Sequence, residues 1–158
     1  MAQARALVID DNRALADTVA EILAERGFEV EVASSGVQAL VRWREHPADL
    51  VVLDVDLPDI GGMTLARRLA RRTAGCNLVV MSARDPQRLL PRCEELGAVF
   101  LAKPFSPAHL IAAIRLMLRP QATPRRSPPP SGHGQRRLLT ARRPRALLQH
   151  SRPPRGTR

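Results

Sequence analysis

The first 119 residues of this 158-residue chain predict an α/β domain with a parallel sheet. Two observations carry that prediction. Short runs at 50–53 (LVVL), 78–81 (LVVM) and 99–101 (VFL) are apolar at every position, as strands covered on both faces are. Between such runs lie stretches with apolar residues at helical spacing, and strand and helix alternate five times.

The first strand is the apolar run 6–9, broken by Asp10, Asp11 and Asn12. Leu15, Val19, Ile22 and Leu23 then follow at i, i+4, i+7 and i+8, a helical stripe that stops at Arg26 and Gly27. Residues 28–33 alternate apolar and acidic side chains, as an edge strand does. Val37, Leu40 and Val41 line a second short helix, which must end before Pro47. The third strand, 50–53, is bounded by Asp49 and Asp54. The segment 58–62 (PDIGG) has loop chemistry, and Met63, Leu65, Ala66 and Leu69 mark the next helix. After the fourth strand, Leu89, Leu90, Cys93 and Leu96 mark a helix closed by Gly97. The run 99–101 reads as a further buried strand, and Leu110, Ile111, Ile114, Met117 and Leu118 mark the last helix.

Charge divides the chain near residue 120. Residues 1–119 hold 15 basic and 15 acidic side chains and are neutral. Residues 120–158 hold 10 arginines, no lysine and no acid, and carry the whole net charge of +10. They also contain 8 of the 14 prolines and no Val, Ile or Phe, too little apolar material to bury a core. A domain at 4–119 followed by a disordered Arg/Pro-rich tail at 120–158 is therefore expected. No apolar run nears the roughly 20 residues that span a bilayer, and two acids interrupt any signal-type core at the N-terminus. The expectation is a cytoplasmic protein without membrane partners. Cys76 and Cys93 form no CxxC and have no histidine pair beside them, which argues against a zinc site or a disulfide scaffold. No phosphate-binding glycine loop and no GxSxG occur, so neither a nucleotide cradle nor a hydrolase triad is encoded.

In a parallel α/β sheet, ligands meet the loops at the carboxyl ends of the strands. That edge collects Asp10 and Asp11 after the first strand, and Asp54 and Asp56 after the third. Ser82 follows the fourth strand, and Lys103 with Pro104 the fifth. Lys103 is the only lysine in the chain. An aspartate after a strand is commonly a cap or turn residue, and Asp17, Asp49, Asp59 and Asp85 are read that way. The combination is different, because crowded carboxylates repel unless a cation offsets them. An all-oxygen set of this kind suits a hard divalent ion such as magnesium.

With Asp10-Asp11, Asp54 in LVVLDVDLPDIGG, Ser82-Ala83 and Lys103-Pro104-Phe105 in this order, the chain resembles the receiver domain of bacterial two-component response regulators, of the single-domain chemotaxis type. The resemblance spans roughly residues 4–119. It implies a flavodoxin-like, doubly wound five-stranded sheet of order 2-1-3-4-5 with helices on both faces. It implies phosphoryl transfer from a sensor histidine kinase or a phosphotransfer protein onto Asp54, and phosphorelay signalling through a switched protein-protein surface. Asp10, Asp11, Asp54 and the Asp56 backbone carbonyl would hold Mg2+. Ser82 and Lys103 would stabilise the phosphoryl group, and Lys103-Pro104 would be a cis peptide. Ser82 and Phe100 would form the switch, with Phe where many relatives carry Tyr; Phe105 reads as packing. Beyond its own phosphorylation and dephosphorylation, such a protein is no enzyme. Asp56 and Arg84 occupy positions that flank the attacking water in the family and could pair with each other.

The family often adds a DNA-binding effector after the receiver, and residues 120–158 show no helix-turn-helix pattern. The tail has two readings. One is a disordered segment without a dedicated role, since Arg and Pro enrichment also follows from base composition. The other makes the protein a phospho-regulated nucleic-acid binder, using the basic tail as output and contacting phosphates without base stacking. Nucleic acid is thus expected as a partner only through the tail.

Overall fold

The structure is a computed structural model that describes residues 2–72 and 76–118. The expected alternation is present: β1 (Arg5–Ile9), α1 (Arg13–Ala24), β2 (Glu29–Ala33), α2 (Gly36–Glu45), β3 (Leu50–Asp54), α3 (Gly62–Arg72), β4 (Asn77–Ser82), α4 (Pro86–Glu95), β5 (Val99–Ala102) and α5 (Pro107–Met117). The five strands pair in parallel in the order β2-β1-β3-β4-β5. Residues 120–158, for which a disordered tail is expected from composition, lie outside the described residues.

Successive side chains of a strand point to opposite faces, and here both faces are covered. Leu7, Ile9, Val51, Leu53, Leu78 and Val80 pack against α2, α3 and α4. Ala6, Val8, Leu50, Val52, Val79 and Met81 pack against α1 and α5. That is why β3 and β4 are apolar almost throughout: each fully buried Leu, Ile or Val contributes roughly 1.5–3 kcal/mol, and neither face has water to accommodate a polar residue. The helix ends follow from single residues. Asn12, Ser35, Asp85 and Ser106 cap α1, α2, α4 and α5, each accepting a backbone N–H of the first turn. Gly27 and Gly97 close α1 and α4 at φ 88 and φ 65, a conformation that costs glycine nothing.

Two elements differ from the sequence pattern. The segment at 99–101 is an edge strand, and Val99 and Phe100 are half-buried because only β4 flanks β5. In α2 the buried residues are Gly36, Ala39 and Trp43, whereas Val37 and Val41 are 57% and 50% exposed. The spacing Ala39 to Trp43 is as helical as that of the valines. The indole is the larger apolar body and takes the core.

The glycine pair at 61–62 is asymmetric. A Cβ on Gly62 would lie 2.4 Å from the Val55 Cα and 2.7 Å from the Asp54 carbonyl oxygen, whereas on Gly61 it would meet only Thr64 Oγ1 at 3.7 Å. Gly62→Ala must therefore move backbone at the end of β3. The expected loss is about 1–3 kcal/mol in urea unfolding, against less than about 0.5 kcal/mol for Gly61→Ala. Equal effects of the two substitutions would contradict the close approach.

Candidate functional site

The strand register decides which residues meet. Asp10 N donates to the Ala33 carbonyl at 3.1 Å and Lys103 N to the Ser82 carbonyl at 2.8 Å, so both continue the pleat of β1 and β5. Asp10 shares the facing of Ala6 and Val8, Asp54 that of Leu50 and Val52, and Lys103 that of Leu101. All three turn toward the α1–α5 side. Ser82 has the opposite facing, that of Leu78 and Val80. Phe100 pairs with Val80 in the register and packs on that same side, which places it diagonally next to Ser82.

Lys103 Nζ lies 2.9 Å from Asp10 Oδ2 and 3.4 Å from Asp54 Oδ1. Asp10 and Asp54 are 1% and 4% exposed, while Asp11 faces solvent at the rim. One carboxylate oxygen from each of the three aspartates lies within 4.8 Å of the others. Backbone N–H groups hold the buried pair in place: Asn12 N donates to Asp10 Oδ1 at 2.9 Å, and Asp56 N to Asp54 Oδ1 at 3.3 Å. Burial, with the neighbouring Asp10 charge, pushes the Asp54 carboxyl above its ordinary pKa, against the pull of Asp56 N–H and Lys103. Burial also works against the Lys103 ammonium. There the hydrogen bond and charge of Asp10, joined by Asp54, outweigh it and hold the lysine above its ordinary value.

Ser82 is fully buried and its Oγ accepts from Arg84 N at 2.9 Å. The Asp56 side chain points outward and pairs with Arg84, a contact formed in solvent and worth little by itself. Lys103-Pro104 is cis. Phe105 is half-buried against the α1–α5 core. The structure thus gathers Asp10, Asp11, Asp54 and Lys103 at one point, with Ser82 on the adjoining strand.

The aspartates set aside from the sequence have structural partners. Asp85 caps α4, Asp49 accepts from Arg5 N, and Asp17 is a weak partner of Arg13 on α1. Asp59 does more than turn a loop. Its carboxylate accepts from Gly36 N and Val37 N, each at 2.8 Å, which ties the β3–α3 loop to the start of α2. Those N–H groups hold its pKa below the usual carboxylate range. Nothing in the local sequence marks this contact, which joins residues 22 and 23 positions apart. Thiol chemistry has no support: burial and Asp49 push Cys76 up to about 11, and burial with Glu94 raises Cys93. His46 binds Glu31 at 3.1 Å and His109 completes the α5 cap, so neither serves Ser82 as a base.

The family profile of the response regulator receiver domain matches residues 6–115. Transcriptional regulatory protein CreB of Escherichia coli (strain K12) is 37% identical over 115 residues, 71% of this chain and 49% of CreB. The DNA-binding response regulator MtrA of Mycobacterium tuberculosis (strain H37Rv) is 36% identical over 73% of this chain and 50% of MtrA. The chain therefore spans about half the length of these curated relatives. A CheY-like receiver domain protein from Methanospirillum hungatei JF-1 superposes with a TM-score of 0.68 at 25% identity, over 73% of this chain and 93% of that one. A response regulator from Burkholderia pseudomallei, solved with a phosphorylated aspartic acid, calcium ion and citrate, superposes with a TM-score of 0.64. It is 27% identical, over 70% of this chain and 65% of that one.

Proposed function

Since this chain belongs to the response regulator receiver family of two-component signalling, we propose that Asp54 is its phospho-acceptor and that Asp10, Asp11 and Asp54 hold Mg2+. The observation that supports this best is the convergence of three carboxylates within 4.8 Å beside a lysine ammonium. The donor set fits the ion. It is all oxygen, near the surface through Asp11, and free of Cys and His among the described residues, which suits a hard cation that keeps some of its waters. The Asp56 backbone carbonyl is proposed as a further ligand.

When bound, the ion supplies Lewis-acid neutralisation of charge on the phosphoryl oxygens. The chain's own groups do the rest. An Asp54 carboxylate oxygen forms the new P–O bond as the P–N bond to the donor histidine breaks, and the electron pair leaves with the imidazole. The Lys103 ammonium, 3.4 Å from Asp54 Oδ1, is positioned to meet an oxygen of the incoming group. Ser82 Oγ would exchange its bond to Arg84 N for one to the phosphoryl group, and Phe100, beside it on β5, would follow. The donor is proposed to be a sensor histidine kinase or a phosphotransfer protein, and the output a protein-protein surface that changes with phosphorylation. Residues 4–119 form the receiver in this reading. Among the described residues no helix is long and apolar enough to cross a membrane.

Melting the full chain with EDTA and with magnesium tests the metal site. Binding only to the native state at about 100 times the dissociation constant should add about 2.7 kcal/mol. Asp11→Ala should abolish the shift, and a wild-type melting temperature indifferent to magnesium would refute the site. Incubation with acetyl phosphate should phosphorylate the chain with magnesium and not with EDTA.

A further inference from the structure

The charge of the domain sums to zero, yet it is unevenly placed. Helix α3 (GMTLARRLARR) has no acid and presents Arg67, Arg68, Arg71 and Arg72 to solvent. On α4, Arg88 and Arg92 are exposed one turn apart, about 6 Å along the axis. Among the described residues none of these six has a carboxylate within ion-pair distance. The two helices pack on the same face of the sheet. A cleft of about 400 Å³ between them is lined by Thr64 of α3, by Arg84, Leu89 and Arg92, and by Asp11 and Asp56, the last paired with Arg84. A second, of about 690 Å³, continues along α4 past Arg84, Arg88 and Arg92. Thr64 lines the first cleft, and the residues three, four and seven positions on, Arg67, Arg68 and Arg71, share its face. The exposed arginines of α3 and α4 therefore stand on one side of the sheet and flank that cleft. The acids of this surface are Asp11 and Asp56 in the cleft, Asp56 being paired with Arg84, then Asp85, tied to Gln87 N, and Glu94 and Glu95 at the far end of α4.

We propose that this α3–α4 surface binds the phosphate backbone of a nucleic-acid duplex without reading its bases. Guanidinium forks match phosphate oxygens, and every cation on the two helices is an arginine. The exposed positions of α3 carry no apolar side chain and those of α4 a single large one, Leu90, whereas protein interfaces centre on clusters of apolar or aromatic anchors. Single strands are held largely by stacking on aromatics, and neither α3 nor α4 has one. A duplex requires neither. It offers one negative charge per about 1.7 Å of axis, and its binding is driven by released counterions. The acid-free residues 120–158, with 10 arginines, favour a partner of the same chemistry. This surface is distinct from the tail and requires no phosphorylation.

The test is titration of the full, unphosphorylated chain with a DNA duplex of arbitrary sequence at several salt concentrations. Two variants, Arg67→Gln with Arg71→Gln and Arg88→Gln with Arg92→Gln, are compared with Arg26→Gln with Arg115→Gln away from this face. Removing one phosphate-binding arginine should flatten the slope of log K against log salt by roughly 0.9. Each α3 or α4 pair should flatten it by about 1–2, and the control pair should leave it unchanged. Unchanged slopes in both α3 and α4 variants overturn the proposal. An equal effect of the control pair overturns it too, because net charge alone would then explain binding. Capture of poly-glutamate with no binding of duplex would assign the face to an acidic protein and likewise refute it.

Discussion

The Asp54→Asn chain is expected to take up no phosphoryl group from acetyl phosphate or from a phosphorylated histidine kinase, under conditions that label the wild type fully. The amide is isosteric with the carboxylate, so the strand end and the Asp56 N–H contact at 3.3 Å have no steric reason to move. What disappears is the nucleophile. Asn side chains carry no charge and no free pair basic enough to attack phosphorus, so the loss is complete rather than partial. The same substitution removes a carboxyl whose ionised form burial and the Asp10 charge disfavour. In EDTA, Asp54→Asn should therefore melt above the wild type. Mass mapping of the labelled wild-type chain checks the position. A phosphoryl group on any other residue, or equal labelling of the variant, would overturn the assignment of Asp54.

Lys103→Met should give the largest change in stability among the site residues. Methionine has similar length and fills the same space, so packing is kept and only the ammonium is lost. The Lys103 side chain is 19% exposed, and the Asp10 and Asp54 side chains it joins are 0% and 6% exposed. Removing one member of a buried ionic cluster leaves uncompensated charge, and the expected loss is about 3 kcal/mol at pH 8 in EDTA. The dependence on pH has a definite sign. Asp54 already titrates above its unfolded value, and losing the lysine raises it further. The native state then keeps a proton that the unfolded chain has released. Stability of the variant should fall as pH rises from about 4 through the raised native pKa. The lysine's own contribution is present below about 10.5 and lost only above it. The gap in melting temperature between wild type and Lys103→Met should thus be small near pH 5 and widen toward pH 8. A gap that is constant with pH would mean that the lysine acts through packing and not through charge.

Much of the domain was legible from residue order. Runs such as LVVL at 50–53 and LVVM at 78–81 leave no polar face, so they require cover on both sides and therefore a parallel sheet between two helix layers. The helix stops at Gly27 and Gly97 were equally plain, because only glycine takes those positive φ values without strain. The candidate residues were legible because a parallel sheet sends every strand's carboxyl end to one edge, whatever the details of packing. The strength of the set lay in its order along the chain, since Asp10, Asp54, Ser82 and Lys103 are each ordinary alone.

What local pattern could not supply was the outcome of competition among equivalent residues and the pairing of distant ones. Val37 and Val41 offered a stripe as helical as that of Ala39 and Trp43, and the larger apolar surface of the indole decided which was buried. Asp59 looked like a loop residue until folding brought the N-terminus of α2 to its carboxylate. The need of Gly62 for glycine arises from the Val55 backbone, which packs where a Cβ would stand. The sequence by itself therefore determined the fold class, the element order and the edge at which the polar residues collect, because these depend on periodicity and connectivity. The tertiary structure alone decided that Lys103 bridges Asp10 and Asp54, that Ser82 turns to the other face beside Phe100, and that the exposed arginines of α3 and α4 stand on one side of the sheet. Those depend on strand register and helix rotation, which are set by the packing of the whole core.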